Sequence, residues 1–210
     1  MPTIEQAKTW YQSNNAVHDF DHVLRVYHIA EHLAAGEGAD LEIVRAAVLL
    51  HDAQSAAGDE SERLAHHEAA AHFAGEVLSA EGWPEDRIQA VQACILTHRF
   101  RTGEAPKTLE AKVLFDADKL DAIGAVGAAR ALAYAVLDGQ PIYAEPSDTF
   151  RQTLKTEPGE AYTAYHEYLF KLSKIKDRMQ TTSGRKMAAA RNEYMRGFFD
   201  QLRMEVFGKK

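Results

Sequence analysis

The chain has one cysteine, Cys94, which excludes an internal disulfide and any cysteine-rich zinc site. Cys94 falls within an apolar helical segment, where a thiol serves as small core filler. No apolar stretch approaches the roughly 18 residues of a membrane span, so a soluble chain with no membrane partner is expected. Basic clusters are also missing. The formal net charge is −7, and without a run of Lys and Arg a grip on long nucleic acid is not expected. The first residues, Met1-Pro2-Thr3-Ile4-Glu5, contain neither the basic nor the apolar region of a secretory signal, which points to the cytoplasm. Strand-like alternation, internal repeats and low-complexity tracts are not seen either.

Helical periodicity is what the chain does have. Val23, Val26, Tyr27, Ala30, Leu33 and Ala34 recur at the spacing of one helix face, with Gly36 and Gly38 as the stop. Ile4, Ala7, Trp10 and Tyr11 predict a short first helix. Asp40 is placed to cap a helix from Leu41 to His51-Asp52, apolar nearly all round and therefore central. Ser61 is the expected cap of a helix ending near Gly82. Pro84 suits the first turn of the next, whose buried stripe is Ile88, Val91, Ile95 and Leu96. Thr108 opens a helix through Asp118 to about Ile123, and the pattern resumes after Gly124 and Gly127, which mark a bend or close crossing. Residues 139–158 form the one long irregular stretch, a lid or a plain connector. Two long helices follow, one striped by Tyr162, Tyr165, Leu169 and Leu172, the other by Met187, Ala190, Tyr194, Phe198 and Leu202. At 210 residues this describes a single all-α domain, a multi-helix bundle over 1–210.

Within that pattern His51-Asp52 closes the most apolar helix, where an unpartnered polar group costs several kcal/mol, on the order of the values for buried polar groups. A metal ion is a partner that satisfies both. Other pairs were weighed by spacing, since residues on a helix meet at three or four apart. His67-Glu68 with His72 imitates a zinc-protease pattern, but its histidines are five apart and diverge. His28 and His32 are four apart and read as polar-face histidines. Asp116 and Asp118 point away from each other, so only one can reach a site, whereas Asp118 and Asp121 share a face.

The segments His18-Asp19-Phe20-Asp21-His22 with Arg25-Val26, Leu49-Leu50-His51-Asp52, and Asp116 through Gly124 with Arg130 downstream occur in a characteristic order. In this the chain resembles the HD-domain metal-dependent phosphohydrolases, and among them the small bacterial YedJ-like and YpgQ-like proteins. The resemblance spans essentially the whole chain. It implies an HD-domain bundle whose metal-binding core covers about 18–130, completed by C-terminal helices over 158–207. It also implies one divalent ion held by His22, His51, Asp52 and Asp118.

Two imidazoles and two carboxylates suit Mn²⁺, Fe²⁺, Co²⁺, Ni²⁺ or Zn²⁺, with Mg²⁺ less favoured and Mn²⁺ preferred here. The chemistry expected is hydrolysis of a phosphoester or phosphoanhydride by activated water. Arg25, Lys119 and Asp121 are the expected substrate contacts, with Lys119 also offsetting phosphate charge. His67 and His98 stand where two-metal relatives carry further ligands, and are read as proton donors or phosphate contacts. Glu68 is the candidate to orient the attacking water. The expected substrate is a small phosphorylated molecule, a nucleotide by preference, with pyrophosphohydrolysis of a nucleoside triphosphate as the leading reaction. A 5′-nucleotidase, a phosphodiesterase and a di-iron oxygenase are the alternatives.

Overall fold

Helix-period spacing of apolar residues is realised along almost the whole chain in a computed structural model that describes residues 1–11, 20–53, 60–99 and 105–209, with the side chains of 60–66 left aside. Among the described residues there are helices and no strands: α1 (Ile4–Lys8), α2 (Phe20–Glu37), α3 (Leu41–Leu50), α4 (Glu60–Ala80), α5 (Glu85–Thr97), α6 (Leu109–Asp121), α7 (Gly124–Leu137), α8 (Asp148–Thr153), α9 (Ala164–Phe170), a 3₁₀ helix (Leu172–Arg178) and α10 (Thr182–Val206). No single described helix is long and apolar enough to cross a membrane. His18 and Asp19 lie outside the described residues.

The helices form two compact units. Met1–Asp118 with Gln180–Gly184 makes the first, and Lys119–Met179 with Arg185–Lys210 the second. In the first, α3 packs against α1, α2, α4 and α5, as its all-round hydrophobicity requires. Val44, Ala46, Ala47, Val48, Leu49 and Leu50 are 0% exposed; each Val or Leu so buried contributes roughly 1.5–3 kcal/mol. Arg45, the one charged residue in the body of this helix, is neutralised by Glu31 of α2 at 2.8 Å. Asp40 caps α3, accepting from the backbone of Glu42 at 3.0 Å and Ile43 at 3.2 Å. It also receives Arg87 of α5 at 2.9 Å. Cys94 is fully buried, and burial pushes its thiol pKa up to about 12, as befits core filler.

In the second unit α9 packs on α7 and on the 3₁₀ helix. Gly124 begins α7 at φ +83°, a left-handed conformation open to glycine at no steric cost. A Cβ there would press on the Arg191 side chain at 3.0 Å.

Several expected boundaries move. The first helix stops at Lys8, which frees Trp10 to set its ring edge-on to Phe73 of α4 at 5.4 Å. Ser61 lies inside α4, which already starts at Glu60, so it is not the cap. Pro84 is the N-cap of α5 and stands one residue ahead of the first turn. The 139–158 stretch contains α8, nucleated by Ser147, whose hydroxyl accepts from Phe150 N–H at 3.0 Å. The first of the two closing helices breaks at Lys171, at φ −129°, and continues as 3₁₀, which turns Leu172 and Ile175 inward. Along α10 the buried row is Gly184, Ala188, Met195 and Phe199, while Tyr194 is 55% exposed. Adjacent Phe198 and Phe199 made both rows plausible, and the stacking of Phe199 on Tyr168 at 4.8 Å selects the second.

Replacing Asp40 with Ala removes a cap and should cost about 1–2 kcal/mol of stability at pH 7 in urea unfolding. The hydrogen bond from Arg87, ahead of those from the Ile43 and Glu42 backbone, holds the Asp40 carboxyl below its usual pKa against the opposing effect of burial. A depressed folded pKa gives stability that is present above the unfolded value near 4 and lost as pH falls through the folded value. The difference between the two proteins should therefore shrink below about pH 4.

Candidate metal centre

The capped, fully buried α3 delivers His51 at its C-terminal end with 1% of its surface exposed. Its Nδ1 lies 2.7 Å from the carbonyl of Val48, which can only accept. Nδ1 therefore donates, and Nε2 carries the lone pair. Burial, ahead of the opposing pull of Asp52, pushes the imidazole pKa down and keeps the ring neutral. Nε2 is buried and has no hydrogen-bond partner. An orphaned acceptor of this kind costs about 1–3 kcal/mol unless something is bound to it.

Two more side chains converge on the same point. His22, near the start of α2 and 7% exposed, places Nε2 3.4 Å from Asp118 Oδ1 on α6. One donor atom each from His22, His51 and Asp118 all lie within 4.8 Å of one another. Donors sharing an ion at bonds of about 2.0–2.2 Å stand roughly 3–4 Å apart, so the set fits a divalent first-row metal with slight contraction. Asp52 Oδ2 lies 3.6 Å from His51 Nε2, beside this group.

Asp52 has its own surroundings. His98 Nε2 is 3.6 Å and Arg99 Nη2 3.2 Å from Asp52 Oδ1. Burial pushes the Asp52 carboxyl up, but the hydrogen bond from His98 and the charge of Arg99 reverse this and hold it well below the usual range. His98 is 2% exposed and, like His51, turns its Nδ1 to a carbonyl one turn back, that of Ile95. The His22 and His51 rings are 5.8 Å apart and the His51 and His98 rings 5.2 Å, so three imidazoles form a row.

Two participants escaped the sequence analysis. Arg99 directly follows His98, and that adjacency was the available signal. Tyr11, expected in the stripe of the first helix, lies beyond it and donates its hydroxyl to the carbonyl of Leu49 at 3.0 Å, just before the doublet. Nothing in its spacing foretold this.

The other candidates are distributed more widely. Arg25 is half-buried one turn after His22. On α4, which packs on α3 and α5, His67 is half-buried and Glu68 exposed with no hydrogen bond or ion pair among the described residues. His28, His32 and His72 are exposed. Asp116 turns away from Asp118, as their two-residue separation requires, and is fully buried. Lys119 is half-buried and, with Asp121, belongs to the second unit. There Asp121 is 1% exposed and ion-paired with Arg130 at 2.8 Å.

Histidines and an aspartate drawn from three helices of an all-α scaffold, with a His-Asp doublet at the end of the central one, define a helical metal-site protein. Residues 19–123 match the HD domain family. The chain belongs to the HD-domain family of metal-dependent phosphohydrolases. It is 32% identical over 209 residues to the YpgQ protein of Bacillus subtilis strain 168, covering 97% of this chain and 94% of that one. The crystal structure of Bacillus subtilis YpgQ in complex with ADP superposes with a TM-score of 0.74 at 31% identity, over 99% of this chain and 100% of the other. An HD-superfamily hydrolase from Bacillus thuringiensis gives a TM-score of 0.73 at 28% identity, over 98% and 97% of the two chains.

Mn²⁺ at 100 times its Kd should stabilise the fold by about 2.7 kcal/mol. That is a rise in Tm of several degrees, roughly 5 °C or more for a chain of this size. Replacing His51 with Ala should abolish the rise in a thermal melt with and without Mn²⁺.

Proposed function

We propose that the protein is a nucleotide hydrolase that converts a nucleoside triphosphate to the monophosphate and pyrophosphate, with one divalent ion held by His22, His51, Asp52 and Asp118. The observation that carries this reading is the convergence of His22, His51 and Asp118 donors within 4.8 Å around an Nε2 atom that nothing else satisfies. The ADP in the YpgQ crystal structure supports a nucleotide as the substrate class. A divalent ion in such a site supplies a Lewis acid that activates water near neutral pH and polarises a phosphoryl oxygen. Mn²⁺ is our choice among the divalent first-row ions that this mixed nitrogen and oxygen donor set accepts.

The chain's own residues divide the remaining work. Val48 fixes the His51 tautomer, so that Nε2 meets the ion with no proton to lose. His98 and Arg99 keep Asp52 ionised and restrict its carboxylate. Arg25, one turn from His22, and Lys119, next along α6 from Asp118, offset phosphate charge. His67 and His98 are the candidate proton donors to the leaving group, and Glu68 the candidate carboxylate for the water. Asp121 acts through Arg130, because a carboxylate buried to 1% and already paired has little left to offer a ligand.

A panel of nucleoside mono-, di- and triphosphates assayed with Mn²⁺, Co²⁺, Ni²⁺ and Mg²⁺, scoring pyrophosphate and phosphate separately, tests the reading. Pyrophosphate from triphosphates is expected, with Mn²⁺ best. Phosphate from monophosphates and no pyrophosphate would make the protein a 5′-nucleotidase. Replacing Asp118 with Ala forfeits several kcal/mol of charge stabilisation, on the order of a 10²-fold loss or more. Unchanged activity in that variant would overturn the ligand assignment.

A further inference from the structure

Asp116 is a fully buried carboxylate two residues before Asp118, and it takes three hydrogen bonds from one distant segment. Its Oδ1 accepts the Gln180 backbone N–H at 2.8 Å. Oδ2 accepts the Thr181 backbone N–H at 2.8 Å and the Thr181 hydroxyl at 2.7 Å. The receiving segment, Gln180–Gly184, enters and opens α10, whose first N–H groups have no partner within their own helix. Glu37, at the end of α2, accepts the Ser183 N–H at 2.5 Å. Carboxylates from two other helices thus meet the positive end of a 25-residue helix. The approach is close: a Cβ on Gly184 would overlap Asp116 Oδ2 and lie 2.7 Å from Thr181 Oγ1, so only glycine fits.

The two helices joined by this turn carry two of the three converging donors, His22 on α2 and Asp118 on α6. We propose that Asp116 is a positioning residue for the metal centre, fixing the rotation of α6 about its axis and so the place of the Asp118 carboxylate. Successive residues advance 100° around a helix, so Asp116 and Asp118 stand on nearly opposite sides, and holding one sets the other. A carboxylate roughly 5–6 Å from the axis moves about 1.5 Å for a 15° rotation. Metal bonds tolerate about 0.2 Å. Three hydrogen bonds on Asp116, two of them to backbone, resist that rotation more firmly than hydrocarbon packing along α6.

This inference rests on the metal-site reading, and the test separates the two. Thr181→Val removes the hydroxyl that donates to Asp116 and accepts the Gly184 N–H at 2.9 Å, and Thr181→Ser keeps both bonds; Asp116→Asn is the stronger change. Mn²⁺ affinity by calorimetry, the Co²⁺ absorption spectrum and the metal-free Tm are measured for each and for the unaltered protein. Thr181→Val should bind Mn²⁺ about 10-fold more weakly, within the 10–100-fold range for outer residues of metal sites, with a changed Co²⁺ spectrum while the metal-free protein remains folded. Thr181→Ser should restore both, and Asp116→Asn, where folded, should lose at least as much affinity as Thr181→Val. Mn²⁺ affinity within twofold of the unaltered protein and an unchanged Co²⁺ spectrum in folded Thr181→Val would overturn the positioning role, whatever its Tm. Failure of the unaltered protein to bind any divalent ion would overturn the metal site as well.

Discussion

The first unit is organised around one imbalance: His51 is buried with only one of its two ring nitrogens satisfied. The cause lies in α3 itself. A helix apolar on all sides must be surrounded, and once surrounded its C-terminal residue is surrounded too. Nε2 has no hydrogen-bond partner there, and Val48 occupies Nδ1. The helices that enclose α3 must then bring a partner to that nitrogen or leave a cost of about 1–3 kcal/mol standing. His22 and Asp118 arrive from α2 and α6, yet neither offers Nε2 a hydrogen bond. A site that gathers lone pairs rather than donors is one suited to a cation.

The neighbouring residues of the doublet are tuned in opposite senses by the same burial. Desolvation drives both toward neutrality. It prevails at His51, whose ring stays neutral, and is reversed at Asp52 by the hydrogen bond from His98 and the charge of Arg99, so its carboxylate stays charged. For a neutral imidazole and an ionised carboxylate these are the forms in which each can ligate a metal. Arg99 contributes to this, because without a cation nearby a buried carboxylate tends to take up a proton.

How far the sequence revealed this depended on the kind of signal. His51-Asp52 stood out because a polar pair closes an apolar helix, while His22 and Asp118, whose donor atoms gather with that of His51, were expected from the family resemblance, which fixes order along the chain. The Asp40 cap was legible since capping is local, spanning two or three residues. What could not be read was non-local. Tyr11 reaches Leu49 across 38 residues and Asp116 reaches Thr181 across 65, and no periodicity records such pairings. The break at Lys171 was hidden because 3₁₀ and α-helices put apolar residues at nearly the same intervals. The inward face of α10 was missed for a similar reason, since adjacent Phe198 and Phe199 satisfy two stripes a residue apart.

A protein of net charge −7 acting on the proposed nucleotide would face an overall repulsion. At physiological ionic strength that repulsion fades over about 8 Å, so recognition is settled by the charges nearest the phosphates. Around the doublet the fixed charges leave a net negative: Asp52 and Asp118 contribute two negatives and Arg99 one positive. A divalent ion would convert this local balance from net negative to net positive. Binding of the proposed phosphorylated substrate and of the metal would then be coupled by electrostatics, each strengthening the other by the same factor.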